Sequence, residues 1–530
     1  MKHSRQKIRF VFWDIQNSYE QIITDTESPI FIGRTKSTAS EPVNNLSVDT
    51  DIEANNQQAV LWKENEKWYI RNIGSIYSLI DNQEIEEQNK REIKAGTPVK
   101  TGEITWFFIP EDWLFIRQDD LIVYAPVSKY INHALYQLQS PLIGHIYVRN
   151  IGKEKSSHVK IGLQIEDYNE PFFVEVPGID PEGVIKLEKP QINVFDKKLK
   201  TLENYEQKQL YVIINGKKIE ALNSKINILG YRYLPQEGFA CKTVAALTLP
   251  DDIVIERIIE DSHTYLKETS GFDSFNLVVN SRDENKELTV LESLYKCISE
   301  SRDIFYTESW TDSIPDTDIV YQIIRLPQHI FASYKLDRRG KGTCIDLSLL
   351  MASCLEMVGL YPLIVFTGKN RVPNHAFMGC WIGSYGARPV LNKKNILNEL
   401  KYGNIIFVEC TGFARGVKTN KPHKLTFEQA NKEAENTLQN AEWVFAVDVI
   451  ALKQMKGISS SVYRAPETDD LSLSTLSEEE KRWFEKVEVL PEIIHTGRED
   501  NLVKVMENHR YLIIYGDPGV GKSYQILALR

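Results

Sequence analysis

Cysteine is scarce: the 530 residues hold six, at 241, 297, 344, 354, 380 and 410, and no Cys-x-x-Cys pair. That excludes a disulfide framework and a thiolate zinc site, and it suits a reducing cytoplasm. Long apolar runs are missing too. The richest stretch, 347–366, is interrupted by Ser348, Ser353, Glu356 and Pro362, so it reads as a buried helix and strand and not as a membrane span. Near the N-terminus the apolar stretch 10–13 is cut short at Asp14, which leaves no secretory leader. Positive charge is not in excess. Lys and Arg number 63 against 73 Asp and Glu, a net charge of −10, so phosphate-backbone binding is not expected to be the main task and nucleic acid is not an expected partner. Sequence repeats and heptads are absent. Single cores stop growing at about 250–300 residues, so the length implies three or four domains in a cytoplasmic protein that makes no membrane contact.

The C-terminal twenty residues carry one clear motif. An apolar strand, 511–515, runs into Gly516-x4-Gly521-Lys522-Ser523 and then into an apolar helix start. This is the phosphate-binding loop in its strand-before, helix-after setting. Gly516, Gly519 and Gly521 let backbone N–H groups turn toward phosphate oxygens. Lys522 would reach the β/γ-phosphates, and Ser523 would hold Mg²⁺ through the nucleotide, so ATP and Mg²⁺ are the expected cofactors. Only seven residues follow Ser523, and no acidic strand end follows the loop, so the expectation is the truncated start of an α/β P-loop NTPase with an incomplete site.

The middle of the chain carries nucleophile chemistry. After the Gly-rich turn Arg338-Arg-Gly-Lys-Gly-Thr, Cys344 opens an apolar helix that ends at Gly359. The positive end of that helix favours a thiolate. His375 lies on a strand 31 residues on, and Glu409 closes another strand 34 residues after that. A cysteine nucleophile needs a base, and an imidazole needs a carboxylate to fix its tautomer. Cys344 would attack a carbonyl, His375 would shuttle the proton and Glu409 would orient His375. Gln328 is a candidate oxyanion donor. Asp346 reads as structural in the first helical turn, and Trp381 as core or cleft wall. The other five cysteines read as small buried hydrophobes.

The N-terminal third reads as strands. Residues 30–34, 59–62, 67–70 and 103–109 are short strand-forming runs between turn signals, an all-β sandwich pattern. Residues 144–149, 158–165, 172–176, 210–214 and 225–229 alternate again, with Asn215-Gly216 as a hairpin turn. His133, His145 and His158 lack ligand spacing and read as strand or surface histidines. The Ser-rich, polar stretch 457–475 reads as a linker.

Gly342-Thr-Cys344-Ile-Asp346, Asn374-His375-Ala-Phe and Val408-Glu409-Cys-Thr411 resemble the cysteine, histidine and acidic blocks of the transglutaminase-like cysteine protease superfamily. The bacterial multidomain version, found upstream of a P-loop NTPase, is the nearest likeness. It covers roughly 246–457 and extends from Arg325-Leu-Pro327-Gln to Val447-Asp-Val449. Glu409 departs from the aspartate of many members. The resemblance implies an α+β papain-like fold and peptide-bond hydrolysis through a thioester, with no cofactor for the peptidase. Glutamine deamidation or cross-linking by the same triad stays open, and so does a catalytically silent peptide-binding platform.

The segment from His495-Thr-Gly-Arg-Glu resembles the lead-in of signal-transducing (STAND) ATPases. That implies regulation by nucleotide, with oligomerisation on activation and a role in bacterial antiviral defence among its implications. Gly33-Arg34, Asn55, Gln58, Trp68 to Ser75 and Tyr77 resemble a forkhead-associated (FHA) domain. Arg34 would be the phosphopeptide residue, although Asn55, Gln58 and Tyr77 stand where serine, histidine and asparagine are usual. An immunoglobulin-like (Ig-like) sandwich is the usual neighbour in the bacterial family. The expected layout is therefore an FHA-like sandwich over 1–125, an Ig-like sandwich over 126–245, the peptidase over 246–457, a linker over 458–475 and the NTPase start over 476–530. A protein substrate or partner, including a phosphoprotein, is the expected ligand.

Overall fold

The computed structural model describes residues 113–458 except 191, 237, 282–284, 309–310, 316, 318, 332–338, 371, 384 and 417–423. Before them it describes 8–13, 18–23, 29–33, 46–47, 58–64, 67–74, 78–80, 83–85 and 89–110 except 102–103, and after them 511–512 and 527–528. The chain is multidomain and rich in β-sheet. It divides into two compact units, 1–231 with 313–319, and 232–312 with 320–530.

The first unit begins with two sheets. One orders Ser18–Ile23, Ile8–Trp13, Ile104–Pro110, Pro98–Thr101, Ser78–Ile80 and Gln83–Glu84; the other orders Leu46–Ser47, Ile30–Gly33, Ala59–Glu64, Lys67–Asn72 and Lys90–Ile93. Alternation along the strands turns one residue in two inward. Ile30, Ile32, Leu61, Trp68 and Ile70 of one sheet thus meet Val99, Trp106 and Phe108 of the other in a common core. This is the expected sandwich.

A second β-domain follows at once. Trp113–Gln118, Leu121–Pro126, Ile146–Asn150 and Val184–Leu187 form one half, and Phe172–Val176, Val159–Ile165, Glu206–Ile214 and Lys217–Ile228 form the other. Among the described residues the two halves pair at Phe115↔Leu222. Val159, Ile161, Leu163 and Ile165 point into a single core with Leu210, Val212 and Ile214. At the Asn215-Gly216 turn both residues have positive φ, 49° and 82°, as the sequence signal requires.

The expected boundary at 125/126 is corrected. The hairpin 113–126 belongs to the second domain, because its inward residues Leu114, Ile116, Val123 and Ala125 join that domain's core. Strand-forming residues look alike in both domains, so composition does not mark the change of sheet. The expected boundary at 245/246 shifts as well, since the second unit begins at 232.

The second unit is α+β. Its sheet orders Val390–Asn392, Trp443–Asp448, Pro362–Lys369, Val372–Trp381 and Ile405–Val408, all antiparallel. The helix Cys344–Met357 packs on Val372–Trp381 and Pro362–Lys369 and against the helices Ile253–Ser270 and Lys286–Ser301. It is apolar all round, with Cys344 to Leu355 buried without a break, as a helix enclosed on every side must be. Helices Lys393–Lys401 and Phe427–Asn440 add Ile396, Ala434 and Leu438 to a core with Leu363, Val365, Phe377 and Phe407 of the sheet.

Beyond 458, Tyr511–Leu512 pairs antiparallel with Leu527–Ala528. The helix start expected after Ser523 lies outside the described residues. Gly516, Gly519, Gly521, Lys522 and Ser523 lie outside the described residues, as does Arg34. Among the described residues no helix is long and apolar enough to cross a membrane, and no His, Cys, Asp and Glu cluster suits a metal ion.

Candidate active site

Cys344 is the first residue of its helix, with Thr343 as N-cap. The cap is reciprocal: the Thr343 N–H donates to Asp346 Oδ2 at 2.9 Å, and the Asp346 N–H donates to Thr343 Oγ1 at 3.4 Å. Asp346 is fully buried and also accepts from the Arg325 N–H at 2.8 Å and from Arg325 Nη1 at 3.2 Å. Burial pushes its carboxyl up, against the pull of these donors. Gln322 Nε2 donates to Thr343 Oγ1 at 3.1 Å. Asp346 is therefore structural, as expected, and it locks the turn that presents Cys344. Each cap contact of this kind is worth about 1 kcal/mol.

His375 comes from the strand Val372–Trp381, opposite Thr367, where the register shifts between Thr367 and Gly368. A Cβ on Gly368 would lie 2.0 Å from the Val372 carbonyl oxygen, so only glycine permits this bulge. Bulges re-aim neighbouring side chains, and this one adjoins the histidine. His375 Nε2 is 2.7 Å from Glu409 Oε2. Glu409 ends the strand Ile405–Val408, is 4% exposed, and is held by the Thr411 N–H at 3.0 Å and the Thr411 hydroxyl at 2.7 Å on Oε1. Its own N–H donates to the Ala430 carbonyl at 3.1 Å.

The other group that acts on His375 is Cys344, which together with Glu409 raises the imidazole. With Nε2 committed to Glu409, Nδ1 is left for the thiol. Burial pulls the imidazole pKa down, but the bonds to Cys344 and Glu409 outweigh it and raise the value to about 10. The imidazole is thus held protonated beside the sulfur. This arrangement can support a thiolate, attack on a carbonyl carbon and return of a proton to a leaving amine. The helix N-terminus adds its positive end at the same point.

The other sequence candidates lie as follows. Gln328 sits on the short helix Pro327–Ile330, and its amide acts on the carboxyl of Asp252, the N-cap of the helix Ile253–Ser270, opposing the rise that burial gives it. Trp381 is core, its indole N–H donating to Asp448 at 2.9 Å. Cys241, Cys297, Cys354, Cys380 and Cys410 are buried, and burial pushes all five thiols up. Gln58 is fully buried and donates to Asn72 Oδ1 at 2.8 Å, while its backbone accepts from the N–H groups of Ile73 and Gly74. It knots the loop bases of the first sandwich. Sequence reading missed Arg325 and Gln322 as supports of the nucleophile turn, because neither stands in a chemical motif. It also missed Tyr306, whose neighbours in charge include Cys344 and Glu409.

No protein-family model matches the chain, and no curated protein matches it significantly. Solved structures similar to parts of it include full-length yeast Pml1p, 14% identical over 21% of this chain and 85% of that one, with a TM-score of 0.17. The FHA domain of an Arabidopsis thaliana hypothetical protein is 16% identical over 20% and 87%, with a TM-score of 0.17. The FHA domain of the CT664 protein from Chlamydia trachomatis is 14% identical over 19% and 96%, with a TM-score of 0.17. At that identity and TM-score the likeness carries no function to this chain.

Proposed function

We propose that the protein is a cysteine hydrolase of transglutaminase-like type, in which Cys344, His375 and Glu409 cleave a peptide bond through a thioester. The observation that carries this reading is the relay of side chains. A helix start and two strand regions bring the three residues together: His375 bonds the buried Glu409 at 2.7 Å, and Cys344 acts on the same imidazole. Attack by sulfur forms the C–S bond, the leaving amine takes its proton from His375, and water resolves the thioester. The β-sandwiches of the first unit serve as recognition modules, the first of them FHA-like and the second Ig-like, with a protein or phosphoprotein as partner. The P-loop region, binding ATP and Mg²⁺ through Lys522 and Ser523, governs access to Cys344.

The test is the pH dependence of Cys344 alkylation by iodoacetamide in the full chain, with Cys344→Ala as control and His375→Ala as comparator. An apparent thiol pKa in the range of roughly 3.5–7.5 that rises in His375→Ala supports the reading. A slow thiol indifferent to His375 overturns it. Peptide products from a substrate library would then mark hydrolysis, and a mass change on an intact protein would mark deamidation or transfer. ATP-dependent cleavage that survives Lys522→Ala would remove the regulatory half of the proposal.

A further inference from the structure

Tyr306 closes the strand Asp303–Tyr306, which runs parallel to Arg339–Gly342 with Tyr306 opposite Gly342. Its N–H donates to the Arg415 carbonyl at 2.7 Å, and the next N–H, that of Thr307, donates to the Gly342 carbonyl at 3.0 Å. The residue is therefore held on both sides, level with a position two residues before Cys344. Ile304 of the same strand is fully buried and anchors it. The phenol itself is half-buried. Among the described residues its hydroxyl makes no hydrogen bond.

Two members of the triad, Cys344 and Glu409, act on that phenol. Its charged neighbours are Cys344, Glu409, Glu308 and Asp346. Burial first, and then the negative charge of Cys344 and Glu409, push its pKa up to about 12, so the O–H remains a donor across the working range. A protonated donor with no acceptor among the described residues, beside a nucleophile, is placed for charge that appears only during reaction.

We propose that Tyr306 is a catalytic residue whose hydroxyl donates a hydrogen bond to the oxyanion formed when Cys344 attacks a carbonyl. The proposal rests on the reading of Cys344 as nucleophile. In the step, the sulfur lone pair forms the C–S bond and the C=O π pair moves onto oxygen, which accepts the bond from Tyr306. Collapse re-forms the C=O, the bond to the leaving group breaks, and the leaving amine takes its proton from His375. Tyr306 keeps its own proton throughout.

Two reactions of the full chain separate this role from a structural one. Acetylation of Cys344 by 4-nitrophenyl acetate passes through an oxyanion; alkylation by iodoacetamide, a displacement at saturated carbon, does not. Tyr306→Phe should slow acetylation on the order of 10²-fold, read as nitrophenolate release and as acetyl on the Cys344 peptide, while alkylation and its pH profile stay as in the wild type. Acetylation at the wild-type rate overturns the proposal. Equal loss of both reactions also overturns it, since Tyr306 would then position the thiol and not the oxyanion. Should Tyr306→Phe fail to fold, 3-fluorotyrosine at 306 decides: an acetylation rate that follows phenol acidity supports the role, and an unchanged rate removes it. If wild-type alkylation is itself indifferent to His375→Ala, the nucleophile reading fails and this proposal falls with it. If alkylation depends on His375 and Tyr306→Phe is silent, Tyr306 alone fails.

Discussion

His133 with Asp196 in the first unit, and His375 with Glu409 in the second, are pairs of almost equal length, 2.8 and 2.7 Å. Their burial is inverted. The His133 side chain is 0% exposed and Asp196 is 43% exposed, whereas His375 is 27% exposed and Glu409 5%. Their titration is inverted too. Burial lowers His133 to about 4, against the pull of Asp196, and Lys200 adds to the lowering. His375 rises to about 10, because the Cys344 and Glu409 bonds overcome its burial. A histidine–carboxylate contact is therefore not a site in itself. What differs is a second acidic group, the Cys344 thiol, acting on the ring, and a carboxylate that is itself buried.

That contrast can be broken at several points. Cys344→Ala should abolish acyl-enzyme formation, a loss on the order of 10⁴-fold or more, measured by acetylation with 4-nitrophenyl acetate. Equal acetylation in the variant would place the reaction on another thiol. His375→Ala should cost about 10²–10⁴-fold in the same assay, and imidazole added to the buffer should restore part of the rate. Glu409→Gln retains an acceptor for Thr411 but removes the charge. It should lower the His375 pKa from about 10 toward the ordinary value near 6.5, followed by the imidazole resonances in NMR, with acetylation slowed by about 10²-fold. An unmoved titration would show that Cys344 alone holds the imidazole charged.

The smallest effect belongs to the first unit. His133 is depressed when folded, so its stabilising share is present above about 6.5 and is lost as pH falls through about 4. His375 has the opposite sign: its share is present below about 6.5 and is lost as pH rises through about 10. Urea unfolding of the first unit should therefore weaken between pH 6.5 and 4, and His133→Gln should flatten that limb without touching acetylation. An acid limb unchanged by His133→Gln would assign it to other groups.

Several features were legible because they are local. The helix behind Cys344 announces itself by an N-cap Thr343 with Asp346 three residues on, a run dense in apolar residues and Gly359, whose φ is 83°. Asn215-Gly216 specifies its own turn, and the alternation of Val159 to Ile165 specifies its inner face. The place of Gln328 between Pro327 and the Gly-rich turn says nothing about Asp252, the distant carboxyl on which its amide acts. The hairpin 113–126 misled for the same reason. Strand propensity identifies a strand but not the sheet it joins. Tyr306 could not be found at all, since only the parallel pairing with Arg339–Gly342 sets it beside the nucleophile.

From the sequence alone came the residue types that can do the chemistry, their order along the chain and the local structure that carries each one. Those follow from short-range causes: caps, periodicity, glycine at special φ, and a thiol at a helix start. The tertiary structure alone decided which imidazole is raised, which carboxylate is buried and which hydroxyl stands near the nucleophile. Each of these depends on groups brought together from distant parts of the chain, and on how much water their packing leaves between them.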